Sequence, residues 1–203
     1  EEGIQAVVAA RMLYEEEQSE EAAEFLIRAL SSDDEDVASA AQASIKKLGP
    51  EMVPYLVEAD TAKAKELVAV MRDEVVIPQL RATLDAKKAA TLLEALGYIA
   101  DEKSVEVMKE SFQNPKNESS WRLAAAEAMA MAARRNEVVE DDVVQVMENM
   151  LDNEGETDDR IKIGAAIALA RLGKVRGVDH LLKELDQFQA DIAQETDRAK
   201  IQD

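Results

Sequence analysis

The side chains that most often perform catalysis or bind metals are scarce in this sequence. It contains one histidine, His180, and no cysteine. A zinc site needs several imidazole or thiolate ligands, so a single histidine does not predict one. His180 is also the only candidate base for a serine-type triad, and the spacing of the serines and threonines recommends none as its nucleophile. We therefore expect no catalytic residue, metal or cofactor, and we expect His180 on a helix surface or in a groove.

Acidic residues alternate with other residues from Asp152 to Asp158, as in the first half of a calcium-binding loop. An EF-hand loop would need glycine at its sixth position and glutamate at its twelfth, where this register has Thr157 and Ile163. We expect instead a solvated loop whose last acid caps the following helix, because a helix N-terminus favours negative charge.

The only tryptophan, Trp121, is followed by Arg122. These two residue types are common at the energetic centres of protein interfaces. Trp121 also stands at the start of a predicted helix, where a large apolar ring can pack against the preceding helices. We favour packing as the interpretation and keep an interface role as the alternative.

The charge of the chain is one-sided. Its 43 acidic and 24 basic residues give a net charge of −19. A nucleic-acid-binding surface needs clustered lysine and arginine, so this balance argues against nucleic acid and anionic lipid as partners. It permits a basic protein partner, although an acidic surface also simply keeps a protein soluble.

Little in the sequence assigns a compartment. No apolar run approaches the roughly 20 residues of a membrane span, so we expect no direct membrane insertion. The absence of cysteine leaves the redox compartment open. The sequence begins at Glu1 rather than methionine, from which we expect a processed product or part of a longer chain or assembly.

The candidate residues must be positioned by helices. Aromatic residues are only 3% of the chain, whereas alanine, leucine, valine, isoleucine and eight methionines supply the apolar positions. Residues 161–185 show the pattern most clearly, with two short amphipathic helices separated by a break at Gly173. Weaker copies recur along the chain, and a recurring helix pair predicts an all-α solenoid.

The helix pairs divide the chain into about six units. Ser19, Asp34 and Asp101 stand where helix N-caps are needed. The predicted units cover about residues 4–31, 35–59, 61–86, 87–114, 118–152 and 158–186, and a capping helix covers 187–203.

These units resemble HEAT-like repeats, particularly the short bacterial type found in phycobilin lyase subunits. The resemblance is carried by Ala166, Ala168, Leu169, Leu172, Gly173, Val178, Leu181 and Leu185, and is echoed by Ala95, Leu96, Ala100, Asp101, Val105 and Met108. Val53-Pro54 and Ile77-Pro78 are similar to the start of the second helix in such repeats, where proline loses no hydrogen bond. The resemblance implies a right-handed α-solenoid whose second helices line a concave face.

Polar residues on the predicted second helices are therefore the candidate binding surface. By helical phase these are Arg28, Tyr55, Arg81, Lys109, Glu148, His180, Lys183 and Glu184. Their signs are mixed, unlike a phosphate-binding stripe. We expect a non-catalytic interaction or scaffolding module that binds a protein partner. The alternative implied by the resemblance is a phycobilin-lyase-like enzyme subunit handling a tetrapyrrole or its acceptor protein.

Overall fold

The computed structural model describes the backbone of residues 2–201 and the side chains of residues 2–193. Within that range the chain contains helices and no strand, which confirms the predicted all-α class. The α-helices are α1 Glu2–Glu17, α2 Glu20–Ala29, α3 Glu35–Leu48, α4 Val53–Ala59, α5 Ala62–Met71, α6 Ile77–Ala82, α7 Ala86–Ile99, α8 Glu102–Gln113, α9 Ser119–Arg135, α10 Glu140–Leu151, α11 Asp159–Arg171 and α12 Val175–Ile201. None of these described helices is long and apolar enough to cross a membrane.

Six of the described α-helices, α2, α3, α5, α7, α8 and α11, begin at a capping side chain. The Ser19 hydroxyl accepts a hydrogen bond from the Ala22 amide at 3.3 Å, and the Asp101 carboxylate accepts one from the Ser104 amide at 2.8 Å. Asp34 caps α3 in the same way. All three predicted caps are confirmed, because each satisfies an amide that lacks a partner within its own helix.

Packing runs between neighbours in the sequence. Helix α1 packs on α2 and α3, α7 packs on α8 and α9, and α11 packs on α9, α10 and α12. The region between α4 and α7 departs from this order. There α5 passes through a π-helical turn, Arg72–Val76, directly into α6, and α7 contacts α4. The turn contains no glycine or proline that would separate α5 from α6.

Small and flexible side chains fill the interior. Alanine, leucine, valine and isoleucine predominate, and Met129 and Met147 are fully buried. Helices α11 and α12 are in close contact at Gly177, where a Cβ atom would lie 2.4 Å from the Ala166 carbonyl oxygen. Small residues therefore set how near these two helices can come.

Helix α12 differs from the sequence prediction. It has 27 residues and no break near Asp186, so the predicted second helix of the sixth unit and the predicted capping helix 187–203 are continuous up to Ile201. The sequence after Gly177 has no glycine or proline to end the helix. Residues 202–203 of that prediction lie outside the described residues. The repeat pattern predicts that Val178 and Leu185 pack inward, but both are exposed, as is Leu182, because they lie on a face of α12 that α11 leaves uncovered.

Candidate functional site

The predicted binding residues lie on the even-numbered helices, but three of them form ion pairs with side chains of a neighbouring even-numbered helix. Arg81 on α6 lies 3.9 Å from Glu110 on α8, and Lys109 on α8 lies 3.1 Å from Asp142 on α10. Glu148 on α10 lies 3.8 Å from Arg176 on α12. We call these three contacts the inter-helix ion pairs. They connect α6, α8, α10 and α12 in order.

Lys109 is the most enclosed of these groups. Burial alone would lower the pKa of its ammonium group, but hydrogen bonds to Asp142 and Glu106 outweigh that effect and raise the pKa. Lys109 is therefore a charged link between helices, and its ammonium group already has acceptors.

The remaining predicted residues are distributed along the chain. Arg28 pairs with Glu24 on its own helix, at 3.3 Å. Tyr55 is half-buried, and its ring meets that of Tyr14 edge to face with the centroids 6.2 Å apart. Burial, followed by the proximity of Tyr55, raises the pKa of Tyr14 to about 12. These aromatic rings pack α1 against α4.

The predicted residues on α12 form a separate group. The His180 imidazole Nε2 lies 3.7 Å from Glu184 and is buried without a hydrogen-bond partner among the described residues. Lys183 is exposed. This group contains no nucleophile, and no cluster of three metal-binding side chains occurs among the residues that the structure describes.

The residues that followed the calcium-like pattern have a structural role. Arg122 is buried, and its Nε donates a hydrogen bond to the Phe112 carbonyl at 2.7 Å while its Nη2 pairs with Glu156. The second oxygen of Glu156 accepts from the Asp158 amide at 3.0 Å. The hydrogen bond from Arg122 is the main reason that the pKa of Glu156 is lowered. Arg122 thereby ties the loop before α11 to the end of α8.

Asp158 is also occupied. As the predicted cap of α11 it accepts from the Arg160 amide at 3.1 Å, and its carboxylate also binds the Arg160 and Ser119 side chains. These contacts lower the pKa of Asp158. Asp158 therefore caps α11 as predicted, but the loop is not wholly solvated, because the Glu156 side chain is only 8% exposed.

The described residues form several surface depressions of about 300 to 480 Å³, and two of them have a lining that suits recognition. The first, which we call the Arg81 cleft, has a volume of about 300 Å³ and lies between α6, α8 and the start of α9. Its lining includes Arg81, Leu84, Glu110 and Trp121. Leu84 is 96% exposed, and Trp121 is half-buried with its indole nitrogen hidden from solvent. Trp121 thus both packs against the core, as favoured from the sequence, and lines a cleft.

The second depression, which we call the arginine depression, has a volume of about 420 Å³ and was missed by the sequence reasoning. Helices α7, α9 and α11 contribute its lining, which includes Tyr98, Glu127, Met131, Arg134, Arg135 and Arg171. The only signal in the sequence was the adjacent arginines that end the alanine-rich helix α9. Tyr98 and Arg171 are distant in sequence, so the pattern became visible only in the fold.

The sequence matches no protein-family profile, and no curated protein is significantly similar to it. The chemistry of the surfaces described above is therefore the basis for assigning a function.

Proposed function

We propose that this protein is a non-catalytic interaction module, built as a right-handed α-solenoid of about six HEAT-like hairpins. It binds a segment of a protein partner in the Arg81 cleft. Selectivity comes from an apolar anchor at Leu84 and Trp121 and from the charged groups of Arg81 and Glu110.

The order of helix packing supports the solenoid part of the proposal. Helices α1 to α3 pack together, as do α7 to α12, and contacts run between helices that are close in sequence. This is the pattern expected when each repeat contacts its neighbours. The inter-helix ion pairs add the same neighbour-to-neighbour order along the even-numbered helices.

The observation that carries the binding part is the exposure of Leu84 beside Trp121. An isolated leucine on a surface is ordinary, but a leucine that is 96% exposed at the rim of a cleft containing tryptophan and arginine combines the residue types of interface centres. A partner that covers Leu84 would remove its apolar surface from water, worth about 2 kcal/mol for a fully buried leucine.

Trp121 provides a direct assay, because it is the only tryptophan in the chain. Proteins captured from the source organism with the wild type and with Leu84→Asp are compared, and those that depend on Leu84 are purified. Each purified partner that contains no tryptophan is then titrated into the wild-type protein. The fluorescence emission of Trp121 should shift to shorter wavelength, because the partner displaces water from the cleft.

Leu182→Asp is the matched control, because Leu182 is another exposed leucine but lies on α12, outside the cleft lining. It should leave capture and titration unchanged. A partner that binds both aspartate variants equally, or that binds without changing Trp121 emission, would place recognition elsewhere and refute the cleft.

A further inference from the structure

We infer that the arginine depression is a second recognition surface, and that it binds an acidic, extended segment of a partner protein through carboxylate–guanidinium contacts. It shares no lining residue with the Arg81 cleft. It would bind an acidic segment, whereas the net charge of −19 of the whole chain would attract a basic one.

The charge inside the depression is opposite to that of the whole chain. Arg134, Arg135 and Arg171 face a single carboxylate, that of Glu127, so the lining carries a net charge of +2. Arg171 and Glu127 are already paired at 2.6 Å. An incoming anion therefore meets two guanidinium groups that have no competing internal acid.

Arg134 and Arg135 are unusual in this chain. Every other arginine whose side chain the structure describes has a carboxylate oxygen within 3.9 Å. Within residues 2–193, Arg134 and Arg135 have none, although acidic residues outnumber basic ones by 43 to 24 in the whole sequence. The two unpaired guanidinium groups line the same depression.

The depression is also partly prearranged. The Arg135 guanidinium carbon lies 5.1 Å from the centre of the Tyr98 ring, a cation–π contact that restricts the orientation of the group. A guanidinium that is already oriented loses less conformational entropy when it binds a carboxylate, which it can contact through two parallel hydrogen bonds. Met131 supplies apolar lining, so the preferred segment carries an apolar side chain between acids.

Size and charge select a peptide over the alternatives. A volume of about 420 Å³ accepts a few side chains. A nucleic acid would need many phosphate contacts, while the rest of this acidic chain repels it. A short acidic peptide makes its contacts inside the depression and places few charges near the acidic surface around it.

The test uses the full chain and a fluorescein-labelled, glutamate-rich peptide with a central leucine, followed by anisotropy at low salt. The wild type should bind it, and a version with glutamine in place of glutamate should bind at least about tenfold more weakly. Arg134→Glu/Arg135→Glu should weaken binding of the glutamate peptide by about tenfold or more. The milder Arg134→Gln/Arg135→Gln variant should also weaken it, and far-UV circular dichroism verifies that both variants are folded.

Lys87→Glu/Lys88→Glu is the matched control, because it reverses two adjacent exposed cations outside the depression and changes the net charge equally. It should affect peptide binding about twofold or less. Equal loss in both charge-reversed proteins would show a general charge effect and overturn the site.

Three other results would also overturn the proposed site. The wild type could fail to bind the peptide, or an oligonucleotide of equal charge could bind as tightly as the peptide. The wild type could also self-associate in a way that Arg134→Glu/Arg135→Glu abolishes. The last result would assign the depression to an acidic segment of a second copy.

Discussion

Replacing Arg122 by methionine should destabilise the fold by about 3–5 kcal/mol, the usual cost of removing one member of a buried ion pair. The side chains of Arg122 and Glu156 are only 6% and 8% exposed. Without the guanidinium, the Glu156 carboxylate keeps the Asp158 amide but loses its cation. The Phe112 carbonyl also loses its 2.7 Å donor, and an unsatisfied buried acceptor alone costs about 1–3 kcal/mol.

The loss of stability caused by Arg122→Met should depend on pH. Arg122 lowers the pKa of Glu156 in the folded wild type, so this pair contributes stability that is present above the ordinary carboxyl pKa of about 4.3. That contribution is lost as the pH falls through the lowered folded pKa. In the methionine variant, burial without a cation should raise the pKa of Glu156, so protonation relieves its penalty as the pH falls through that raised pKa. The stability difference between the two proteins should therefore be largest at neutral pH and shrink toward pH 4.

Urea unfolding followed by far-UV circular dichroism measures this difference at each pH. Arg160→Met is the control, because Arg160 is 71% exposed in its pair with Asp158 and should contribute less than about 1 kcal/mol. The double variant Arg122→Met/Glu156→Met should recover much of the loss, since an apolar pair leaves no buried charge. A loss below about 1 kcal/mol, or a loss that is the same at pH 7 and pH 4, would refute the reasoning.

Three further predictions concern packing and capping, each measured by urea unfolding. Gly177→Ala should cost about 3 kcal/mol, the upper range for overpacking, because its Cβ would lie 2.4 Å from backbone at the α11–α12 contact; a loss below 1 kcal/mol would mean that α12 shifts freely. Phe112→Ala should cost about 3–5 kcal/mol because the ring is fully buried, whereas Phe188→Ala, at a site 63% exposed, should stay within about 0.5 kcal/mol. Asp101→Ala should cost about 1–2 kcal/mol through loss of the α8 cap and of the ion pair with Arg72, and Asp101→Asn, which keeps a capping oxygen but not the charge, should retain most of that stability if capping dominates.

The local features of the fold were predictable from the sequence. Ser19 and Asp101 were identified as caps from residue type and position alone, because capping depends on a few adjacent residues. Pro54 and Pro78 lie in the first turns of α4 and α6, as the sequence pattern indicated. Apolar spacing of three and four residues likewise sufficed for the all-helical class.

Features that depend on distant residues were not predictable. The sequence places Arg122 beside Trp121, but its partner Glu156 lies in another loop, where the spacing of acids indicates only a calcium-like pattern. The repeat pattern predicts a unit boundary near Asp186, but nothing in the sequence ends a helix there, so α12 continues through it. The arginine depression needed three helices to be positioned before its charges met.

The pairing of charges separates the two proposed surfaces by their response to salt. Arg81 and Lys109 each have a carboxylate of a neighbouring helix within 3.9 Å, at Glu110 and Asp142, so part of the charge of each cation is balanced within the protein. A partner in the Arg81 cleft would make chiefly apolar contacts, with Leu84 and Trp121. Salt weakens apolar contacts little. Binding at Arg134 and Arg135 is chiefly electrostatic and should weaken steadily as salt rises. A partner that still binds at high salt but does not bind Leu84→Asp occupies the Arg81 cleft. A partner whose binding is abolished both by high salt and by Arg134→Glu/Arg135→Glu occupies the arginine depression.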